Sequence, residues 1–252
     1  MKEIKDFIIT ESRHLGPLYT LLKASPADGS VIPPVKPGQF VQIAVETPGV
    51  FLRRPISICD VEDGAIVLLV RRAGKGTDAL CDMTEGSVIN MLLPLGNGFS
   101  LEGTRRPLLI GGGVGVAPLL YLGRKLAESG VTPEFLLGAR SEADLLLLKE
   151  FEAVGTVHTS TEDGSHGEKG LVTAHTALAS GAYDRIFCCG PSPMMKAVAR
   201  VAVEKATDCE VSLENMMACG LGACLCCVEN TVKGNVCVCT EGPVFNIKML
   251  NW

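Results

Sequence analysis

The chain has 252 residues, 47% of them hydrophobic and 20% charged, with a formal net charge of −5. That length supplies a core without staples, the composition excludes disorder and fibrous repeats, and the acidic balance offers no basic surface to nucleic acid or anionic lipid. The count that does not suit a plain enzyme is 11 cysteines, six of them in the 21 residues from Cys219 to Cys239.

The first residues, M-K-E-I-K-D-F-I-I-T, lack a basic stretch leading into an apolar one, so no secretory signal is expected. The expectation is a cytoplasmic chain with reduced thiols, in which a dense cysteine cluster serves a metal rather than disulfides. The longest uncharged run, 107–123, holds five glycines and two prolines. It falls short of the roughly 20 apolar residues of a membrane span.

Up to about Glu102, short β-rich runs at 37–45, 56–61, 65–72 and 87–96 are separated by Gly/Pro turns, which predicts an antiparallel barrel or sandwich. The second run opens on R-P-I-S-I, Arg54 to Ile58. A guanidinium matches a phosphate with paired hydrogen bonds, and the Ser57 hydroxyl can reach a cofactor ring nitrogen. V-R-R-A-G-K-G-T-D-A-L follows, from Val70 to Leu80, where a strand ends in a glycine turn and Thr77 is placed to N-cap a short helix. Two phosphate-compatible elements in one barrel point to a dinucleotide-type cofactor.

From Arg105 strand and helix signals alternate, which predicts a parallel α/β sheet. G-G-G-V-G-V-A-P runs from Gly111 to Pro118 between an apolar strand and a helix. Gly111, Gly112, Gly113 and Gly115 permit a tight turn and close approach of a pyrophosphate. Pro118 stands where a third small residue is usual, and the next strand ends in Arg140 and Ser141 instead of a ribose-reading acid, leaving NAD and NADP open. A helix is expected over 142–153, a strand over 184–189, and then C-C-G-P-S-P-M-M from Cys188 to Met195, leading into a helix. Ligands in open α/β sheets lie beyond the carboxyl ends of strands, so Cys189, Gly190 and Pro191 are candidate nicotinamide neighbours.

The tail carries the most specific signal. Cys219, Cys224 and Cys227 form C-x4-C-x2-C, the spacing of plant-type [2Fe–2S] centres, with Cys237 or Cys239 available as fourth ligand. Spacing does not choose between those two, Cys226 offers a rival register, and a structural zinc site of four thiolates is the competing reading. His14, His158, His166 and His175 show no ligand spacing, and they and the pairs Met194–Met195 and Met216–Met217 are taken as structural. Cys59, Cys81, Cys188, Cys209, Cys226 and Cys237 are assigned to packing.

R-P-I-S-I, the G-K-G-T turn, P-L-G-N-G-F at 94–99, G-G-G-V-G-V-A-P, C-G-P-S-P-M-M and C-x4-C-x2-C followed by C-T-E-G-P-V-F occur in that order. Together they resemble the ferredoxin–NADP reductase superfamily, most closely the electron-transfer subunits of NAD-dependent (type B) dihydroorotate dehydrogenases, over nearly the whole chain. The resemblance implies an antiparallel FAD-binding barrel over 1–103, a parallel-sheet NAD-binding domain over 104–208 and a small [2Fe–2S] domain over 209–252. It implies one FAD per chain, contacted by Arg54, Pro55, Ile56, Ser57, Leu69, Val70, Arg71, Gly76 and Thr77. It also implies one [2Fe–2S] cluster per chain on Cys219, Cys224, Cys227 and Cys239. The aromatic residue common in the superfamily's Arg motif is Ile56 here, so flavin stacking comes from elsewhere.

Nicotinamide exchanges two electrons as hydride and an iron–sulfur centre exchanges one, so a flavin belongs between them. The three modules fill the chain and leave no room for a (β/α)8 barrel of about 250 residues. Dihydroorotate oxidation is therefore expected on a separate FMN-bearing catalytic subunit, in a heterotetramer of two copies of each, serving pyrimidine (UMP) biosynthesis. Competing readings are a reductase subunit of a hydrogenase or ferredoxin-linked transhydrogenase, and a zinc-stabilised nucleotide-binding module without redox activity.

Overall fold

The computed structural model describes residues 2–252, which form two compact units. One contains the residues up to Gly98 with Glu214–Glu229 and Asn235–Pro243; the other contains Phe99–Leu213, Asn230–Gly234 and Val244–Trp252. Among the described residues no helix is long and apolar enough to cross a membrane.

The first unit is built on six strands: β1 (Glu3–His14), β2 (Tyr19–Pro26), β3 (Phe40–Ile43), β4 (Arg54–Glu62), β5 (Ala65–Arg71) and β6 (Val88–Leu95). They close into a barrel in the order β1-β2-β5-β4-β3-β6, every pairing antiparallel. Alternate residues point inward, so Phe7, Val41, Ile43, Leu68, Val70 and Met91 meet in one core. Burying each such side chain contributes about 1.5–3 kcal/mol. β1 and β2 lie outside the expected runs. In β1 only Phe7 and Ile9 are buried, while charged residues and the exposed Ile4 and Ile8 fill the rest, so it carries little apolar alternation.

After β5 the chain turns at Gly74 into α1 (Lys75–Cys81). Thr77 is not the N-cap expected of it. Gly74 occupies that position, and Thr77 lies in the first turn, where its hydroxyl accepts from the Ala73 N–H and donates to the Gly74 carbonyl.

The second unit carries β7 (Pro107–Gly112), α2 (Ala117–Glu128), β8 (Glu134–Ala139), α3 (Leu148–Glu152), β9 (Thr156–Thr161), β10 (Glu168–Lys169), α4 (Thr176–Ser180), β11 (Arg185–Cys189), α5 (Ser192–Glu204) and β12 (Asp208–Ser212). The strands form a parallel sheet ordered β10-β9-β8-β7-β11-β12. α5 buries Met195, Val198, Ala199 and Ala202, one face at helical spacing. The helix expected over 142–153 is interrupted: a 3-10 turn covers Glu142–Asp144 and α3 begins at Leu148. D-L-L-L-L offers more consecutive apolar residues than one helical stripe holds, and the chain buries Leu146 and Leu147 by taking Leu147 to φ 56°.

Beyond β12 come β13 (Val228–Thr231), β14 (Gly234–Cys237), α6 (Val238–Glu241) and β15 (Val244–Asn246). β15 adds to the edge of the second unit's sheet, antiparallel to β12.

Candidate cofactor sites

In the barrel unit, β4 starts at Arg54, and α1 follows β5 after a three-residue turn. The Arg54 guanidinium is held by the Leu52 carbonyl, accepting at 2.6 Å from Nη1. It lies against buried Gly76 so closely that a Cβ there would fall 2.4 Å from Nε and 2.9 Å from Cζ. Two segments 22 residues apart, Arg54 and Gly76, thus build one cradle that any side chain at 76 would fill. A guanidinium beside a glycine turn suits a phosphate. Pro55, Ile56 and Ser57 are half-buried along β4, and Arg71 is exposed at the end of β5. Leu69 is buried, and the Val70 side chain points into the barrel core, so Val70 presents its backbone alone.

The same unit holds the cysteine loop. P-L-G-N-G at 94–98 clasps it: the Asn97 backbone N–H donates to the Gly242 carbonyl and its Nδ2 donates to the Glu241 carbonyl at 2.8 Å. Backbone amides within the loop are aimed at sulfur. Leu221 N–H and Cys224 N–H donate to Cys219 Sγ at 3.3 and 3.4 Å, and Gly222 N–H donates to Cys239 Sγ at 3.2 Å. Cys239 N–H donates to Cys227 Sγ at 3.4 Å. Donors of this kind favour thiolate: the Leu221 and Cys224 amides bring the Cys219 thiol down to about 6. Burial acts the other way on Cys239, whose thiol is pushed up, with the neighbouring Cys227 adding to the effect.

Cys219 lies beside Cys224, and Cys227 lies beside both Cys239 and Cys237. Among the described residues no three or more His, Cys, Asp or Glu gather around one point as a single-ion site would. A two-iron centre would take four thiolates, and the amide donors suit its anionic sulfurs. Cys237 also touches Cys227, but its Sγ lies 3.8 Å from the Gly222 carbonyl oxygen, an acceptor that disfavours thiolate. Cys226, expected to pack, is exposed, as is Met216 at 83%. Cys59, Cys81, Cys188 and Cys209 are buried, and burial pushes the Cys188 thiol well up and the Cys209 thiol up to about 12.

In the sheet unit, β7 and β11 are adjacent with Gly111 opposite Cys189, so both turns leave the sheet side by side where strand order reverses. The glycines have different surroundings. At Gly115 a Cβ would lie 2.6 Å from the Cys189 carbonyl oxygen and Gly190 Cα, and at Gly112 it would strike Met194 Sδ at 2.6 Å. Gly111 is crowded by Val116 and Leu119, whereas Gly113 faces nothing within 4 Å. Gly113 is thus where a ligand can approach the backbone. Pro118 is buried in the first turn of α2, Cys189 is 3% exposed, Gly190 is half-buried, and Pro191 and Arg140 are exposed.

Two of the four histidines come together. The rings of His158 and His175 lie 5.7 Å apart at a tilt of 56°, paired with Glu134 at 3.3 Å and Glu168 at 3.5 Å. With Tyr183 and Arg106 they line a cavity of about 620 Å³. Arg106, Glu134 and Tyr183 stand at or before the starts of β7, β8 and β11, the sheet end opposite the glycine turn. Long-range pairing made this cluster, and no spacing in the chain announces it.

Residues 214–251 match the iron-sulfur cluster binding domain of dihydroorotate dehydrogenase B, and residues 109–200 match the oxidoreductase NAD-binding domain. The chain is 41% identical to the dihydroorotate dehydrogenase B (NAD(+)) electron transfer subunit of Shouchella clausii, over 84% of this chain and 85% of the relative. It is 40% identical to the subunit of the same name from Caldanaerobacter subterraneus, over 83% and 84%. Among solved structures, that of an NADH-dependent reduced ferredoxin-NADP oxidoreductase contains a chain of 30% identity with a TM-score of 0.88, covering 98% of this chain and 90% of that one. The flavohem-like FAD/NAD binding domain of nitric oxide dioxygenase from Vibrio cholerae, at 22% identity and TM-score 0.72 over 82% and 98%, shares the fold.

Proposed function

Because the chain belongs to the family of dihydroorotate dehydrogenase B (NAD(+)) electron transfer subunits, we propose that it passes electrons from a partner that oxidises dihydroorotate to NAD. It is an oxidoreductase subunit that uses FAD, a [2Fe–2S] cluster and NAD. When bound, nicotinamide exchanges hydride, the iron–sulfur centre exchanges single electrons, and the flavin exchanges either.

The residues divide this work. Arg54 and the Gly76–Thr77 turn hold the flavin's phosphates, with Pro55 to Ser57 and the strand end at Leu69 to Arg71 along the rest of the cofactor. Gly113 opens the backbone to the nucleotide pyrophosphate, Gly111, Gly112, Gly115 and Pro118 shape that turn, and Arg140 stands ready for the ribose side. Cys189, Gly190 and Pro191 form the floor for the nicotinamide. Cys219, Cys224, Cys227 and Cys239 hold the cluster, and the amides of Leu221, Gly222 and Cys224 offset its negative charge. The observation that carries the reading is this set of backbone donors converging on these thiols in a chain of this family. In this assignment the barrel is the flavin domain, the parallel sheet the nucleotide domain, and the C-terminal segment the cluster module.

The partner is a catalytic subunit carrying FMN, joined in a heterotetramer of two copies of each chain. Purification of the tagged chain from its native cell tests this. Recovery of a dihydroorotate-oxidising flavoprotein, with dihydroorotate-dependent NADH formation, is expected. Recovery with hydrogenase or transhydrogenase subunits would overturn it in favour of the second reading, which the 30% identical ferredoxin-NADP oxidoreductase chain supports.

A further inference from the structure

Gln42 lies in β3 between Val41 and Ile43, whose side chains enter the barrel core, so its own side chain leaves the barrel wall. It is fully buried, and neither Nε2 nor Oε1 has a hydrogen-bond partner. An amide buried this way loses water at both ends without replacement, which native structures rarely tolerate without a reason. Its register partner on β6, Leu92, occupies the same kind of site with an apolar side chain.

The orphaned amide faces the cysteine loop. A Cβ at Gly220 would lie 3.0 Å from Gln42 Nε2 and 3.2 Å from Cγ. Gly220 sits between Cys219 and Leu221, whose amide already donates to Cys219 Sγ. On its other flank Gln42 is in register with Pro55 of the R-P-I-S-I strand. One unpaired carboxamide therefore stands between the strand assigned to flavin and the loop assigned to the cluster, within a single compact unit.

We propose that Gln42 is a positioning residue for the [2Fe–2S] centre, its Nε2–H donating to a cluster sulfur alongside the loop amides. This rests on the cysteine assignment above. Hydrogen bonds to sulfur favour the reduced, more negative form and so raise the reduction potential.

The test is a redox titration followed by electron paramagnetic resonance (EPR), on the full chain purified without air. Gln42→Met keeps length and volume but removes the donor. It should retain a [2Fe–2S] signal, while the ratio of reduced to oxidised centre at fixed potential falls about tenfold, a shift of about 59 mV for one electron. Gln42→Leu, which also lacks the donor, should shift in the same direction and serves if the methionine variant does not fold. Unchanged midpoints and g-values in a folded variant overturn the proposal. A wild-type chain with no [2Fe–2S] signal overturns the cysteine assignment beneath it, and this inference with it.

Discussion

Gly115→Ala is a stringent test of the nucleotide turn because it adds one methyl group and changes nothing else. Gly115 does not have a left-handed φ, so alanine meets no backbone strain there. The added Cβ would lie 2.6 Å from the Cys189 carbonyl oxygen, 2.6 Å from Gly190 Cα and 2.7 Å from Gly190 N, against 3.4 Å or more for ordinary contact. The two turns must separate by about 0.8 Å, the difference between 3.4 and 2.6 Å. Both partners are backbone, and β7 and β11 are held in register at Gly111 and Cys189, so that separation strains both turns. Overpacking of this kind costs about 1–3 kcal/mol. If the turns part and binding must close them, NADH affinity falls by about 5- to 150-fold. The assay is the NADH dependence of flavin bleaching in rapid mixing without air, with flavin content as the control, since Gly115 lies outside the barrel unit. A half-saturating NADH concentration within twofold of wild type, in a folded variant, would refute the assignment of this turn to the nucleotide.

Gly76→Ala places a methyl group against the flexible end of Arg54 instead of backbone, so the guanidinium moves and the fold persists. FAD retained through gel filtration should drop at least severalfold while the melting temperature of the FAD-free protein stays within about 2 °C, equivalent to about 0.5–1 kcal/mol; full retention contradicts the cradle. His175 gives a pH dependence. Burial holds its folded pKa below the ordinary 6.5, against the opposing charge of Glu168 and with that of His158. Above about pH 6.5 both folded and unfolded chains hold it neutral and its contribution is complete. As pH falls further the unfolded chain takes the proton first, and stability declines by up to about 1.4 kcal/mol per pH unit. His175 Nδ1 also accepts the Ala177 N–H at the start of α4, a role asparagine can keep. His175→Asn should therefore flatten the acid decline, read by urea unfolding through the fluorescence of Trp252, the single tryptophan, which lies in the sheet unit. An unchanged slope contradicts the assignment.

The parts of this molecule that are legible in its sequence are those written in local pattern. The β-rich runs between turns that become β4 to β6, the strand–glycine–helix passage at Gly111 to Pro118 and the C-x4-C-x2-C spacing each need only neighbouring residues to be recognised. What escapes depends on distant partners. β1 hides because its exposed face carries the apolar Ile4 and Ile8 while the buried face has only Phe7 and Ile9, so no apolar alternation marks one side as inner. Leu147 breaks the expected helix because burial of the leucine run outweighs helical continuity. The choice between Cys237 and Cys239 is invisible in spacing, yet the structure sets an amide N–H against one sulfur and a carbonyl oxygen against the other. Gln42 shows in the sequence only as one polar residue in V-Q-I-A-V; its burial under Gly220 comes from a segment nearly 180 residues further on.

The central claim is that electrons pass between nicotinamide and a [2Fe–2S] centre on Cys219, Cys224, Cys227 and Cys239 through this chain's own flavin, a path that NADH drives in reverse. It is met most directly by the EPR spectrum of protein purified without air, with NADH as the only reductant, for the wild type, Cys237→Ser and Cys239→Ser. A [2Fe–2S] signal should rise in the wild type and in Cys237→Ser and be lost in Cys239→Ser, whose flavin NADH still bleaches. A wild-type protein that contains zinc and no flavin, or a signal that survives in Cys239→Ser and vanishes in Cys237→Ser, would contradict it.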